Sequence, residues 1–435
     1  MTPVLIQNVI TNFVSLLDNI MVGRVGTEPM SGVAIVNQLL FVFNLCIFGG
    51  LAGAGIFTAQ YFGKGDDEGV KNTMRAKAWI VTVILAVALF ILLRFGENLI
   101  MLFIHEGEDN LNLADTLGYA KKYLRIVLFQ MPMFALLMVY SSTLRETSRT
   151  KLPMTAGIVA VFVNLIGNYI LIYGKFGAPK LGVEGAAIAT VAARFVEMVI
   201  CISGSKFHGV WRTIKVPSEL AGKIVVKGLP LMFNEFFWSA GMTTLNQLIS
   251  RRGLEVVSAE NIASTVSNLF FCAFFAMGTT ISILVGQDLG SGDFDKAIDD
   301  DRKLIAFSVA FSAAVAIVMA AVAPLFPRVY NTTEIVKKLA SQMIIVNAVM
   351  MPANAFTNSA FFTLRAGGKV WVTALYDSVY LWVLAIPLTL ALVKLTALSA
   401  IVIYSISYGV DLIKCVFGFI LVRSGIWINN LVSEG

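Results

Sequence analysis

The sequence predicts an all-α integral membrane fold, with twelve transmembrane helices in two pseudo-symmetric six-helix bundles. Three observations predict it. The 435 residues are 57% hydrophobic and only 14% charged, with a mean hydropathy of +0.79, whereas a soluble chain is about 25% charged. The apolar residues gather into twelve runs, each able to supply the roughly 20 helical residues that a bilayer core needs. The chain also resembles itself. At a displacement of 227 positions (230 − 3), Pro3 falls on Pro230, Gln60 on Gln287 and Gly63 on Gly290, so that AQYFGKGD (59–66) is echoed as GQDLGSGD (286–293). At 220 positions (352 − 132), Pro132 falls on Pro352 and Arg145 on Arg365.

The runs of the first half are 3–23, 31–62, 77–104, 118–143, 153–173 and 183–203. The first carries Asn8, Thr11, Asn12, Ser15, Asp18 and Asn19, which form one polar stripe on a helix. The second is long and ends in the AQYFGKGD motif. Its glycines make a tight turn, and its aspartate can cap the helix that follows. The connection from third to fourth, with Glu106, Glu108, Asp109 and Asp115, is acidic and suits the outer face. The fifth run carries Asn164 and Asn168 one turn apart, and the sixth carries Arg194 and Glu197. Residues 204–222, with Lys206, Arg212, Lys215 and Pro217, read as a loop. The chain therefore divides into an N-lobe (1–203), a linker (204–227) and a C-lobe (228–435).

The runs of the second half are 228–250, 259–289, 304–327, 339–363, 370–393 and 398–422. The seventh carries Asn234, Glu235 and Trp238, and the long eighth ends in the echoed motif. The tenth contains Pro352 and is followed by LRAGGK (364–369). The eleventh carries Asp377, and the twelfth carries Asp411 and Lys414.

The net charge of +6 does not point to nucleic acid. The basic residues sit in short gaps between apolar runs, with no basic stripe interleaved with aromatics. Lys and Arg are more numerous in the even-numbered connections and the C-terminal end. By the positive-inside rule, both termini and the linker are then cytoplasmic in an inner (plasma) membrane. Cys46, Cys201, Cys272 and Cys415 lie singly in apolar runs, so packing is expected and neither a metal site nor a disulfide. His105 and His208 fall in polar connections. The apolar run starting at Pro3 leaves no cleavable leader pattern. No phosphate-loop motif supports ATP-driven pumping, and no GxSxG or HExxH supports an intramembrane enzyme. No organic cofactor is expected.

Ionisable residues inside a span are functional hypotheses by default. Arg194–Glu197 and Asp411–Lys414 are spaced i, i+3, so each pair can neutralise itself along one helix face. Asp18 has no such partner. Its stripe must face protein or a wet cavity, where a carboxylate can hold a proton or, as a hard oxygen ligand, a sodium ion. Asn164 and Asn168 can complete an oxygen site with it, or can bond neighbouring helices. Glu235, near Asn234, Trp238 and Met242, has the chemistry that a lipophilic cation needs; a packing carboxyl is the alternative. Asp377 has Tyr376, Tyr380 and Trp382 nearby. Two similar bundles bearing such residues imply a transporter with its substrate between them.

From Pro3 to about Arg423 these marks resemble the multidrug and toxic compound extrusion (MATE) family. They are LLDNIMVGRVG (16–26), AQYFGKGD, NLIGNYILIYG (164–174), GVEGAAIAT (182–190), LPLMFNEFFWSAG (229–241) and LRAGGK, in family order. The resemblance implies a bacterial-type transporter with a V-shaped pair of lobes. It implies export of small organic cations in exchange for protons or sodium, by a monomer in the lipid bilayer. Asp18 falls on the family's first-helix aspartate. The family's fifth-helix pair falls on Asn164 and Asn168, but the second member here is not an acid. That leaves sodium binding at Asp18, Asn164 and Asn168 open against protonation of Asp18 alone. Asn234, Glu235, Trp238 and Asp377 are the expected substrate residues. A flippase for a lipid-linked saccharide is the alternative within the same broad superfamily. It would be expected to have a more cationic cavity than Asp18, Glu197, Glu235, Asp377 and Asp411 allow against Arg194 and Lys414. A channel is not excluded by the duplicated lobes.

Overall fold

The structure is a computed structural model, and it describes residues 21–103, 113–205, 207, 209–330 and 332–433. All regular elements among these residues are helical. They are α1 (Thr27–Lys64), α2 (Asp67–Phe103), α3 (Leu113–Val127), α4 (Gln130–Glu146), α5 (Lys151–Tyr173), α6 (Val183–Ser203), α7 (Ser218–Ser250), α8 (Leu254–Ser291), α9 (Phe294–Val322), α10 (Glu334–Ala366), α11 (Val370–Leu395) and α12 (Ala400–Arg423). Among the described residues nine helices are long and apolar enough to cross a membrane singly, and α3 with α4 makes a tenth as a bent pair. Labels α5 to α12 coincide with the fifth to twelfth expected spans. The first expected span lies outside the described residues except for its last turn, 21–23.

The fourth expected span is broken. Its two helices meet at 47°. Pro132 explains the position, because its ring clashes with the carbonyl four residues earlier, at Leu128, where α3 has ended. The helix α11 departs from α geometry for another reason. Leu375–Val379 and Leu381–Ala385 are π-helical turns, and Pro387 immediately downstream removes a hydrogen bond from the ladder. The first π turn contains Asp377.

The chain forms two compact units. Among the described residues, one unit lies within 21–58 and 68–228, and the other within 59–67 and 229–433. The division passes through two helices, since the last residues of α1 belong with the C-terminal half and the first residues of α7 with the N-terminal half.

In the N-terminal unit the core is built from Val36, Ile47, Met74, Val127, Met131 and Leu144 among others. The helices α5 and α6 form a close hairpin. Its turn needs Gly174, whose φ of +68° lies in the left-handed region. Gly185 lies against the Leu171 backbone, as small residues do where membrane helices pack without a hydrophobic driving force between them. The helix α2 leaves Phe90, Leu93 and Leu102 exposed, an apolar face suited to lipid.

The C-terminal unit has two apolar clusters. One contains Ile249, Ala263, Met343 and Tyr404, and the other contains Val285, Leu289, Leu364 and Trp427. The echoed motifs meet here. A Cβ on Gly63 would collide with the Gln287 backbone, and one on Gly290 with the Gln60 backbone, so each motif's glycine accommodates the other's glutamine. The C-terminal tail straps this crossing. Gln60 Nε2 donates to the Ala366 and Asn429 carbonyls at 3.1 and 3.2 Å, its Oε1 accepts from Leu431 N at 2.7 Å, and Lys64 Nζ donates to the Val432 carbonyl at 2.6 Å. In the second motif Asp293 Oδ1 accepts from Lys296 N at 3.1 Å and caps α9.

Candidate functional site

Asp18 lies outside the described residues. Its expected partners do not. Asn164 and Asn168 are buried on one face of α5. Asn168 Nδ2 donates to Asn164 Oδ1 at 3.2 Å, and Asn164 Nδ2 donates to Thr190 Oγ1 on α6 at 3.4 Å. This ladder turns side-chain carbonyls and amides inward along a helix that is otherwise apolar. At the end of the same helix Tyr173 Oη donates to the Met21 carbonyl at 3.0 Å. That bond fastens the end of the first span, three residues after Asp18 in sequence, to the end of α5.

Arg194 on α6 bonds Glu197 at 2.7 Å, as their spacing implies, and its guanidinium stands 5.6 Å from the Phe134 ring centroid. Beside it is a small cleft of about 30 Å³ lined by Leu40, Phe43, Asn44, Gln130, Met131 and Phe134. A pair that sequence reading missed lies on α2 and α4. Lys77 is fully buried and ion-paired to Glu146, with Ser142 Oγ and Thr143 Oγ1 accepting from it at 3.2 and 3.1 Å. Both residues sit at the edges of their apolar runs, where charge ordinarily reads as an exposed end.

In the C-terminal unit two of the four expected substrate residues, Asn234 and Asp377, stand in one hydrogen-bonded network. Asp377 Oδ2 accepts from Asn234 Nδ2 at 3.2 Å, and Asp377 Oδ1 pairs with Lys414 Nζ at 2.6 Å. Ser378 Oγ donates to Asn234 Oδ1 at 2.6 Å. The π turn supplies the geometry, because it presents the adjacent residues 377 and 378 to the same asparagine. Glu235 Oε1 lies 3.5 Å from Arg365 Nη1. Sequence reading had Arg365 only as an echo of Arg145, with nothing to give it a partner from a distant helix.

One expectation changes. Lys414 bonds Asp377 across helices, whereas its spacing had paired it with Asp411. Asp411 remains within electrostatic reach of both. The reason is reach: Asp377 stands opposite the end of the long lysine stem. Trp238, the fourth expected substrate residue, packs with Met242 against the apolar core. Trp382 is the indole that bridges α11 to α7, donating to the Phe237 carbonyl at 2.9 Å.

Chemically, this cluster holds three carboxylates (Glu235, Asp377, Asp411) against two cations (Arg365, Lys414). Ion pairs removed from water need such pairing and further hydrogen bonds to persist. A surplus of one acid leaves room for one proton or one monovalent cation. Among the described residues no group of His, Cys, Asp and Glu side chains is arranged to hold a metal ion. Cys46, Cys201 and Cys415 are free thiols within helices.

Comparison with known proteins agrees with this architecture. The MatE family profile matches residues 3–170 and 230–391, the two halves separately. A curated relative, the probable multidrug resistance protein NorM of Thermotoga maritima, is 24% identical over 404 residues, covering 90% of this chain and 84% of its own. Among solved structures, an aspartate-to-asparagine mutant of the Vibrio cholerae MATE transporter VcmN superposes with a TM-score of 0.87 at 18% identity, covering 99% of this chain and 96% of that one. An outward-facing multidrug resistance MATE family transporter of the MOP superfamily gives 0.85 at 19% identity, covering 97% and 94%. The duplicated halves, the apolar helices and these matches make the chain a multi-pass membrane protein of the MatE family, with the fold of the MATE transporters.

Proposed function

We propose that the protein is a secondary active exporter of cationic, lipophilic compounds, driven by inward movement of protons or sodium ions through alternating access. The observation that carries this reading is the acid-rich network within the C-terminal membrane helices, Glu235–Arg365 and Asn234–Asp377–Lys414. Ionisable groups inside a membrane are costly and are functional hypotheses by default. The surplus negative charge suits a cation and disfavours the anionic headgroup of a lipid-linked saccharide. The multidrug function named for the Thermotoga maritima relative supports the same reading.

Coupling is assigned to the N-terminal unit. Asp18 takes the proton or sodium ion, and the Asn164–Asn168–Thr190 ladder supplies the neighbouring oxygens. Arrival of the ion changes how the first span packs on α5, next to the Tyr173–Met21 bond, and favours release of substrate outward. A ligand shifts such an equilibrium only by its difference in affinity for the two states. The drive is adequate, since one charge moving through 100 mV provides about 2.3 kcal/mol, a concentration ratio of roughly fifty. The protein acts as a monomer in the inner membrane, with both termini and residues 204–227 in the cytoplasm.

The test is to reconstitute the protein inside-out in liposomes and impose a proton or a sodium gradient separately while following a fluorescent organic cation. Accumulation beyond equilibrium under one gradient is expected. Equilibration without accumulation would indicate a channel. Failure to move any of several cations, while a labelled lipid-linked saccharide changes leaflets, would indicate the flippase.

A further inference from the structure

The Lys414 ammonium sits in surroundings built for an ammonium ion. Asp377 Oδ1 is 2.6 Å away, and the Tyr376 and Tyr380 ring centroids lie at 5.1 and 6.0 Å. The rings are themselves fixed. Tyr380 Oη donates to the Val410 carbonyl at 2.6 Å, and Tyr376 Oη donates to the Thr357 carbonyl at 3.4 Å with Gly418 close against it. A carboxylate with two aromatic faces is how a protein recognises an organic cation. Here the chain's own side chain fills the place. Lys414 has a second carboxylate in reach, Asp411, three residues earlier on its own helix.

We propose that Lys414 is a tethered surrogate for the transported cation: it occupies the Asp377–Tyr376–Tyr380 ammonium site at rest and swings to Asp411 when a substrate ammonium takes its place. This rests on the reading of the protein as a cation exporter and adds the substrate class of the C-terminal site, an amine or quaternary ammonium. The incoming cation takes up the cluster's surplus negative charge, since three carboxylates face two cations at rest and three after the exchange. One lysine moves between two aspartates while the incoming cation replaces it on the first. It also gives selectivity, because a neutral or anionic compound cannot release Lys414 from Asp377.

The experiment uses the full chain in detergent, with n-propylammonium chloride as the probe and thermal unfolding as the readout. Lys414→Ala should be stabilised by propylammonium in a saturable way. The wild type and the Asp377→Asn/Lys414→Ala double variant should respond at least tenfold more weakly. Asp411→Asn keeps the Lys414–Asp377 pair and so should fold. It should lose at least tenfold in organic-cation transport, and Asp411→Glu should recover most of it. Recovery of folded Lys414→Ala only when it is prepared in propylammonium supports the proposal. Lys414→Ala with no more amine response than the double variant would overturn it, as would full transport by Asp411→Asn. An Asp377-dependent amine response from a protein that transports no cation would uphold the site and defeat the exporter reading. Cation transport by a protein lacking that response would do the reverse.

Discussion

Lys77 is the most completely buried charge among the described residues, and its surroundings explain why it can persist. Glu146 neutralises it, while Ser142 and Thr143 accept its remaining hydrogens. Removing one partner of a buried pair leaves the other charge uncompensated, at a cost of about 3–5 kcal/mol, whereas replacing both by apolar residues is often near neutral. Lys77→Met should therefore lower the unfolding midpoint in detergent markedly, and Lys77→Met/Glu146→Met should recover most of the loss. A double variant no better than the single one would show that the lysine matters through something other than its charge. Asn234 offers a second test at this scale. Asn234→Ala strips hydrogen bonds from Asp377 and Ser378 at once, and should cost about 1–3 kcal/mol by the same measurement. The sequence made Asn234, Glu235 and Asp377 visible because ionisable and amide residues stand out in apolar runs. It hid Lys77 and Glu146, because helices α2 and α4 bury residues at the edge of the hydrophobic stretch. It mispaired Lys414, because spacing along one helix says nothing about a carboxylate on another.

Helix interiors followed from apolar run length, and helix ends from glycine and aspartate. The turn at Gly174 and the cap at Asp293 are both legible in that way. The approach of α5 to α6 depends on Gly185 lying against the Leu171 backbone. Gly185→Val should push the hairpin apart and destabilise the protein by about 1–3 kcal/mol, the usual penalty of overpacking. Thermal unfolding with a cysteine cross-link across α5 and α6 would check it. Unchanged stability with an intact cross-link would contradict the close packing. The sequence reading takes 118–143 as one run, which bends near Pro132, whereas its echo Pro352 sits inside an unbroken α10. Proline marks where a helix loses a hydrogen bond, and the neighbours decide whether it breaks. The π turns of α11 were not legible, since a periodicity reading assumes a regular helix throughout. They are what bring Asp377 and Ser378 together onto Asn234.

For the whole molecule the internal repeat was the informative signal, and the structure gives it a physical cause. Gly63 and Gly290 recur at equivalent places because each lies against the other motif's glutamine backbone. The tail is then fixed by Gln60 and Lys64, a contact that no repeat could reveal because it has no counterpart in the first half. Gln60→Ala removes two of these hydrogen bonds, and limited proteolysis should cut after residue 424 faster than in wild type; equal rates would mean that the remaining contacts, such as Lys64 to Val432 and the buried Trp427, hold the strap. The proposed function rests on the assignment of ion coupling to Asp18 in the first expected span. Uptake of a fluorescent organic cation into inside-out proteoliposomes, with wild type and Asp18→Asn side by side under a proton or a sodium gradient, tests it most directly. The account predicts accumulation by wild type under one gradient and none by Asp18→Asn; undiminished accumulation by Asp18→Asn would contradict it.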